Sequence, residues 1–131
     1  MNQTTTSSNP AIRTRIKICG LTRETDVDAA VAAGADAVGF VLYPKSPRYV
    51  SPERAVALAR RLPPFVTPVL LFVNAAATEI IAISDQLAGA CVQFHGDETP
   101  ADCLLATGAG LRPFIRAARI PVWLHATDPV T

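Results

Sequence analysis

Short apolar runs alternate with amphipathic segments along this 131-residue chain, and the order repeats four times before a fifth apolar run. The apolar runs are nearly continuous, which is typical of strands buried in a parallel sheet, whereas the segments between them have helical periodicity. The predicted strands are Arg15 to Cys19, Ala37 to Leu42, Val69 to Asn74, Ala90 to His95 and Leu111 to Ala117. The pattern therefore predicts an α/β fold with four helices between five strands.

The predicted helices begin at capping residues. Ser51 and Thr99 each precede a proline, and this pair is typical of an N-cap followed by the first helical residue. Thr78 is predicted to give a similar start signal to the third helix. The first helix follows from an i, i+3, i+4 apolar stripe around Val27, and Gly34 is predicted to end it.

Two architectures use this alternation, an open doubly wound sheet and a (β/α)8 barrel. A dinucleotide-binding sheet requires G-x-G-x-x-G after its first strand, and the segment "CGLTRE" has a single glycine. A barrel keeps its site at the carboxyl ends of its strands, and those ends carry polar residues here: Cys19, Tyr43 to Arg48, Asn74 and Gln93 to Asp97. The loops therefore favour the barrel.

Composition argues against several partners. The formal net charge is +1 and no Lys/Arg block stands among aromatic residues, so neither nucleic acid nor an anionic membrane surface is indicated. No run approaches the roughly 20 apolar residues of a membrane span. Residues 1–14 are polar, lack the apolar core of a secretory signal, and are predicted to form a disordered tail.

The three cysteines are odd in number and form no C-x-x-C pair, which favours a reducing cytoplasm over a disulfide framework. A metal site built from Cys91, His95 and Cys103 is an alternative use of two of them. Their spacing matches no zinc pattern, so no metal is predicted.

Four motifs carry a resemblance to a known family. "KICGLT", "GADAVGFVLYPKSPRYVSPE", "LFVN" and "VQFHGDE" occur in that order between Arg15 and Arg119, and they resemble the successive motifs of the phosphoribosylanthranilate isomerase family of tryptophan biosynthesis. The resemblance implies a (β/α)8 barrel that performs an Amadori rearrangement of a small-molecule phosphosugar-anthranilate substrate without metal or organic cofactor. A complete barrel needs about 200 to 250 residues. Residues 15–120 are therefore predicted to form a partial TIM barrel of four βα units and a fifth strand, and residues 121–131 match no family motif.

The resemblance implies that Cys19 is the general base. Such a rearrangement needs an acid to open the sugar ring and a base to remove the proton next to the resulting imine. Lys17 shares the face of Cys19 and would favour an anionic sulfur, and Gly20 would let the turn pass close to substrate. The alternative is that Cys19 is a small buried apolar residue, the more common fate of a lone cysteine.

The resemblance also implies that Arg48 holds the anthranilate carboxylate, since a planar guanidinium grips a carboxylate through two parallel hydrogen bonds. A solvated loop arginine is the alternative. Gln93 and His95 are expected to point to the same side as Cys91, toward the barrel interior, and to support substrate binding. His95 could equally be a hydrogen-bonded structural residue, Asp97 and Glu98 are interpreted as helix-start acids, and Asn74 as a turn residue.

The family's general acid is an aspartate on the sixth strand, and its phosphate site follows the seventh and eighth strands. Neither segment has a counterpart in this sequence, and neither Asp128 nor His125 is assigned to these roles. The chain is therefore expected to be inactive alone. The alternatives are a non-catalytic half-barrel that binds carboxylate ligands, and one that assembles with itself or a complementing half through its open inner face. That face is expected to expose Lys17, Gln93 and, by alternation with Ile115, Arg116.

Overall fold

A computed structural model describes residues 12–122 of the chain. Five strands and four helices alternate strictly within that range. They are β1 (Lys17–Cys19), α1 (Glu24–Ala32), β2 (Ala37–Val41), α2 (Pro52–Ala59), β3 (Thr67–Phe72), α3 (Ala77–Ser84), β4 (Cys91–Phe94), α4 (Pro100–Ala106) and β5 (Phe114–Arg116). Within this range no helix is both long and apolar enough to cross a membrane.

The strands form one parallel sheet in the order β1-β2-β3-β4-β5. A doubly wound sheet reverses its strand order at one point, and the order of these five strands runs in one direction only. Because parallel crossovers are right-handed, such an order places every connecting helix on the same side of the sheet. The predicted α/β class is confirmed, and the arrangement is that of consecutive βα units of a (β/α)8 barrel.

The helices cover one face of the sheet, called the outer face here. Phe40, Phe72 and Phe94, near the carboxyl ends of β2, β3 and β4, are fully buried in a cluster with Leu58 of α2 and Ile80 of α3. Each such side chain stabilises the fold by about 1.5 to 3 kcal/mol when it leaves water. This cluster between sheet and helices is the main core of the described chain.

Capping explains two of the four helix starts as predicted. The Ser51 hydroxyl accepts a hydrogen bond from the backbone N–H of Arg54 at 3.1 Å, and Thr99 forms a reciprocal capping box with Asp102. The predicted start at Thr78 is wrong, because α3 begins at Ala77 and no side chain caps it. The small apolar residues before Thr78 join the helix, so α3 begins before the residue type that usually caps a helix.

The opposite face of the sheet, called the inner face here, carries the alternate residues of each strand. Cys19 pairs with Gly39, and Gln93 pairs with Ile115, so these four residues point to the inner side. Arg116 therefore lies on the outer face, and the expectation that it joins the inner face is wrong. Its side chain instead bonds the loop after β4, as described below.

Residues 1–11 of the predicted tail, and residues 123–131 with His125 and Asp128, lie outside the described residues. Arg13, near the end of the predicted tail, pairs with Asp36 between α1 and β2, with Nη1 to Oδ2 at 3.1 Å. The backbone N–H of Ile16 donates to the same carboxylate at 2.8 Å. Asp36 thus attaches the start of β1 to the neighbouring strand.

Candidate active site

A cavity of about 520 Å³ opens at the carboxyl ends of the strands on the inner face. All four residues predicted for the site, Cys19, Arg48, Gln93 and His95, line it. They come from three different βα units, and the parallel sheet brings them together because its strands end at the same edge. The structure therefore assembles one site from residues that are up to 76 positions apart in the sequence.

Cys19 is the last residue of β1, and its side chain is partly exposed to the cavity. The turn that follows is fixed by the carbonyl oxygen of Gly39 in β2, which accepts hydrogen bonds from the N–H groups of Gly20 at 2.8 Å and Leu21 at 3.3 Å. Gly20 adopts φ +82°, a left-handed conformation that glycine reaches without strain. The thiol thus stands where the chain leaves the sheet and turns away from the cavity.

Arg48 reaches the same turn from the loop after β2. That loop folds back on its own strand, because the N–H of Val50 donates to the carbonyl of Val41 at 3.0 Å. The N–H of Arg48 also donates to Ser46 Oγ at 3.1 Å. The Arg48 guanidinium then donates from Nη1 to the Cys19 carbonyl at 3.0 Å, so one of its donors is used and the side chain remains exposed.

Gln93, in the middle of β4, is only 8% exposed. Its Oε1 has no hydrogen-bond partner within residues 12–122. A buried acceptor left without a donor costs roughly 1 to 3 kcal/mol, so buried side-chain polar atoms are usually bonded. Gln93 lines the cavity, but its Oε1 is shielded from solvent, so a donor on a ligand reaches this acceptor only when the side chain turns toward the cavity.

His95 follows β4 and is exposed, and its backbone N–H donates to Phe72 of β3 at 3.0 Å. The loop around it is fixed by Glu98, which is 8% exposed. The Glu98 carboxylate accepts from the N–H of Asn74 at 2.9 Å and from the N–H of Gly96 at 2.7 Å. Interpreting Glu98 as a helix-start acid was therefore wrong, since it joins the loops after β3 and β4.

Two further side chains, those of Arg116 and Asn74, complete this loop junction. Arg116 donates to the carbonyl of Gly96 at 2.8 Å and to the carbonyl of Glu98 at 3.2 Å. Asn74, at φ +51°, accepts from the N–H of Asp97 at 2.8 Å, so it does more than turn the chain. Sequence reasoning missed the junction because each of its side chains bonds a backbone group, and residue types alone do not reveal such pairings.

The cavity is cationic. Lys17, Arg48 and Arg119 line it, and no carboxylate of residues 12–122 is part of its lining. Cys91 also lies on the inner face, close to Lys17. Burial raises the pKa of its thiol, and the Lys17 ammonium opposes part of that rise. A concave surface with three fixed positive charges and no acid favours an anionic ligand. Arg119 was not singled out from the sequence, because it follows β5 in a stretch with no recognisable signal.

The residues considered for a metal site do not meet. Cys91 belongs to the inner face, whereas Cys103 is a residue of α4 and is buried in the outer-face core. In the part of the chain that the structure describes, no three His, Cys, Asp or Glu side chains lie close enough to hold a metal ion.

Comparison with known proteins gives consistent matches. A sequence model of the N-(5'phosphoribosyl)anthranilate (PRA) isomerase family matches residues 16–121. A relative from Methylibium petroleiphilum, named N-(5'-phosphoribosyl)anthranilate isomerase, is 66% identical over 109 residues, which are 83% of this chain and 49% of that protein. A relative of the same name from Leptothrix cholodnii is 62% identical over 82% of this chain and 47% of its own length.

Solved structures agree with these matches. The phosphoribosyl anthranilate isomerase from Thermus thermophilus superimposes with a TM-score of 0.75 at 36% identity, over 82% of this chain and 52% of that one. A phosphoribosyl anthranilate isomerase in complex with reduced 1-(o-carboxyphenylamino)-1-deoxyribulose 5-phosphate gives a TM-score of 0.71 at 42% identity, over 79% and 53%. The chain thus spans about half the length of the relatives it matches, and its fold is the corresponding part of a TIM barrel. The chain belongs to the phosphoribosylanthranilate isomerase family.

Proposed function

We propose that this chain supplies the base and the carboxylate-binding side of a phosphoribosylanthranilate isomerase site. The observation that carries the proposal is the bond between the Arg48 guanidinium and the Cys19 carbonyl at the mouth of one cavity. This bond brings the candidate base and the candidate carboxylate-binding residue together at the turn after β1. Family membership supplies the reaction, and the cationic lining suits a substrate with a carboxylate and a phosphate.

In the proposed reaction the opened sugar presents a C–H bond next to a protonated imine. The Cys19 thiolate takes that proton, and the electrons of the C–H bond form a carbon–carbon double bond as the imine nitrogen regains its electron pair. Tautomerisation of the resulting enol then gives the ketone. The role of Arg48 is to fix the anthranilate carboxylate with the guanidinium donors not used on Cys19, because a planar fork matches a carboxylate.

Gln93 and His95 complete the proposed binding surface. Once its side chain turns toward the cavity, the unpartnered Oε1 of Gln93 would accept a hydrogen bond from a donor group of the substrate, which removes the cost of leaving this acceptor unsatisfied. His95 is exposed just after β4, in the loop held by Glu98. It would contact the substrate from the fourth βα unit of the chain. Three free cysteines suit the reducing cytoplasm, where we place this reaction.

The proposal leaves the general acid and the phosphate site to segments that the longer relatives possess. We therefore propose that the 131-residue chain does not turn over the substrate by itself. The decisive experiment joins residues 1–120 to the C-terminal half of a relative and follows the fluorescence of the isomerase substrate. Turnover by the hybrid supports the proposal, and a folded hybrid without turnover contradicts it.

A second candidate is a half-barrel that assembles with itself or a complementing half. It rests on exposed apolar side chains at the two edges of the sheet: Ile16, just before β1, is 51% exposed and Ile115 of β5 is 42% exposed. Titration with anthranilate tests the remaining alternative, a carboxylate-binding module, because binding without turnover in the hybrid would favour it over an isomerase.

A further inference from the structure

We propose that Gly39 is a positioning residue for the thiol of Cys19. Its importance for the reaction rests on the proposed function, but the positioning itself is a property of the folded chain. Gly39 lies directly beside Cys19 in the sheet, on the inner face. No residue signature in the sequence pointed to it.

The reason is the space that the sulfur occupies. A Cβ atom built on Gly39 would lie 2.9 Å from Cys19 Sγ, 3.3 Å from its Cα and 3.4 Å from its Cβ. The first of these distances is shorter than real Cβ atoms show, so an alanine at this position would require the sulfur to move. The sulfur therefore leans over β2 and fills the place of the missing side chain.

The backbone gives no competing reason for glycine here. The φ angle of Gly39 is outside the left-handed region, in contrast to Gly20 and Gly34. Glycine inside a strand weakens the strand, because it loses more chain entropy and packs no side chain. An alanine would be the better strand residue at position 39 if Cys19 did not need the space.

The direction of displacement follows from the topology. Sγ leans toward β2, and no strand of residues 12–122 pairs with the other side of β1. A methyl group on residue 39 would turn the sulfur away from the cavity, toward that open side and into solvent. The thiol would then be more accessible and yet misplaced for a substrate bound in the cavity.

The first test measures alkylation of Cys19 in the purified chain with iodoacetamide, followed by peptide mass spectrometry. Gly39→Ala should accelerate alkylation of Cys19 at least threefold. Gly34→Ala is the matched control, because its left-handed φ of +93° makes alanine unfavourable while nothing lies within 4 Å of the added Cβ. A rate for Gly39→Ala within twofold of the unchanged chain, or an equal acceleration by Gly34→Ala, would overturn the proposal.

Cys91 and Cys103 serve as internal references in this first test, since both are buried and become reactive only when the chain opens.

The second test is a double-mutant cycle in urea. Gly39→Ala should lower the unfolding midpoint clearly, and the same change made in a Cys19→Ala chain should lower it by less than half as much. Equal losses in both backgrounds would mean that the sulfur does not occupy the space. If Gly39→Ala alone fails to fold, folding of the double variant supports the proposal, and its failure overturns it.

Neither measurement requires isomerase turnover. A proposed function that fails in the hybrid enzyme would leave both results unchanged, so the two proposals can be rejected separately.

Discussion

Arg48 Nη1 donates a hydrogen bond to the carbonyl oxygen of Cys19 across 3.0 Å, and the contact is possible because Gly20 lies beneath the guanidinium. A Cβ atom on Gly20 would overlap Nη1 of Arg48 and would lie 2.7 Å from its Cζ. Glycine at this position therefore serves two needs, the left-handed turn and the space for the arginine. The orientation of Arg48 thus depends on the residue after the candidate base.

Replacement of Cys19 should abolish the reaction. In the hybrid with the C-terminal half of a relative, Cys19→Ala removes the group that would accept the proton, so turnover should fall to background with little loss of folding. Cys91→Ala and Cys103→Ala are controls, because Cys91 has a pKa raised by burial and Cys103 lies in the outer-face core. The substrate fluorescence assay measures the outcome, and an active Cys19→Ala hybrid would contradict the assignment of the base.

Arg48→Lys should weaken substrate binding in the same hybrid. A lysine ammonium keeps the charge but cannot bond the Cys19 carbonyl and a carboxylate through one planar fork. The loss of one charge-assisted hydrogen bond is worth about 1.5 to 3 kcal/mol, so KM should rise on the order of 10- to 100-fold. Lys45→Ala, an exposed change in the same loop, is the control and should leave KM unchanged. An unaltered KM for Arg48→Lys would show that Arg48 is only a surface residue.

The loop junction predicts a stability effect far from the thiol. Glu98→Gln keeps the shape of the side chain but replaces one carboxylate oxygen by an amide N–H₂. That group cannot accept the hydrogen bond from the backbone N–H of Asn74 or Gly96 that it then faces. Leaving one buried donor unsatisfied should lower the free energy of unfolding by about 1 to 3 kcal/mol. Urea denaturation of the purified chain measures this.

Asp97→Asn is the neighbouring control, since the Asp97 side chain is exposed and only its backbone takes part in the junction. Its effect should stay within about 0.5 kcal/mol. Equal effects of the two substitutions would mean that the Glu98 carboxylate does not hold the loops.

Asp36 should make the start of β1 sensitive to acid. The hydrogen bond from Arg13 and the one from the Ile16 N–H lower the pKa of Asp36 to about 2, from an unfolded value near 3.9. The carboxylate therefore contributes stability above about pH 4, and this contribution is lost as the pH falls toward 2. Unfolding midpoints measured across this window should fall less steeply for Asp36→Asn than for the unchanged chain. Arg13→Gln should give an intermediate slope, because the Ile16 N–H remains; identical slopes in all three would contradict the linkage.

The sequence was sufficient where a pattern depends on local chemistry. Ser51 and Thr99 cap their helices with their own side chains, and the alternation of apolar residues places Cys19, Gln93 and His95 at one edge of the sheet. These are short-range rules of backbone hydrogen bonding and strand geometry. They gave the fold class and brought the predicted site residues into one cavity.

The sequence was insufficient where a helix start, the face of a strand residue or a contact depends on more than the residue type. Thr78 has the type of an N-cap, but α3 begins one residue earlier. Arg116 was expected on the inner face. Ile115 pairs with Gln93 on that face, so the next residue, Arg116, lies on the outer face. The functions of Glu98 and Gly39 depend on backbone groups and a sulfur in neighbouring strands, which a single sequence does not bring together.

The last prediction concerns the purified chain by itself. Among the described residues, β1 and β5 each have one side without a partner strand, and such edges offer unpaired backbone donors and acceptors to another chain. Ile16, Ile18 and Ile115 stand exposed near these edges. An apolar surface of several hundred Å² on a monomer usually marks an interaction site. We therefore expect the chain to self-associate or to pack loosely, and sedimentation over a range of concentrations measures this.

Ile115→Lys should shift the distribution toward monomer, because it places a charge on the inner face at the β5 edge. Ile81→Lys is the matched control, since Ile81 is exposed to a similar degree on α3, away from both edges. A rigid monomer at high concentration would refute the association.

The same samples should show no isomerase turnover, because association of identical halves adds no copy of the family's sixth-strand aspartate. Turnover that disappears in Cys19→Ala would instead show that a group within this chain, with His95 and Asp97 as the candidates, donates the proton that opens the sugar ring.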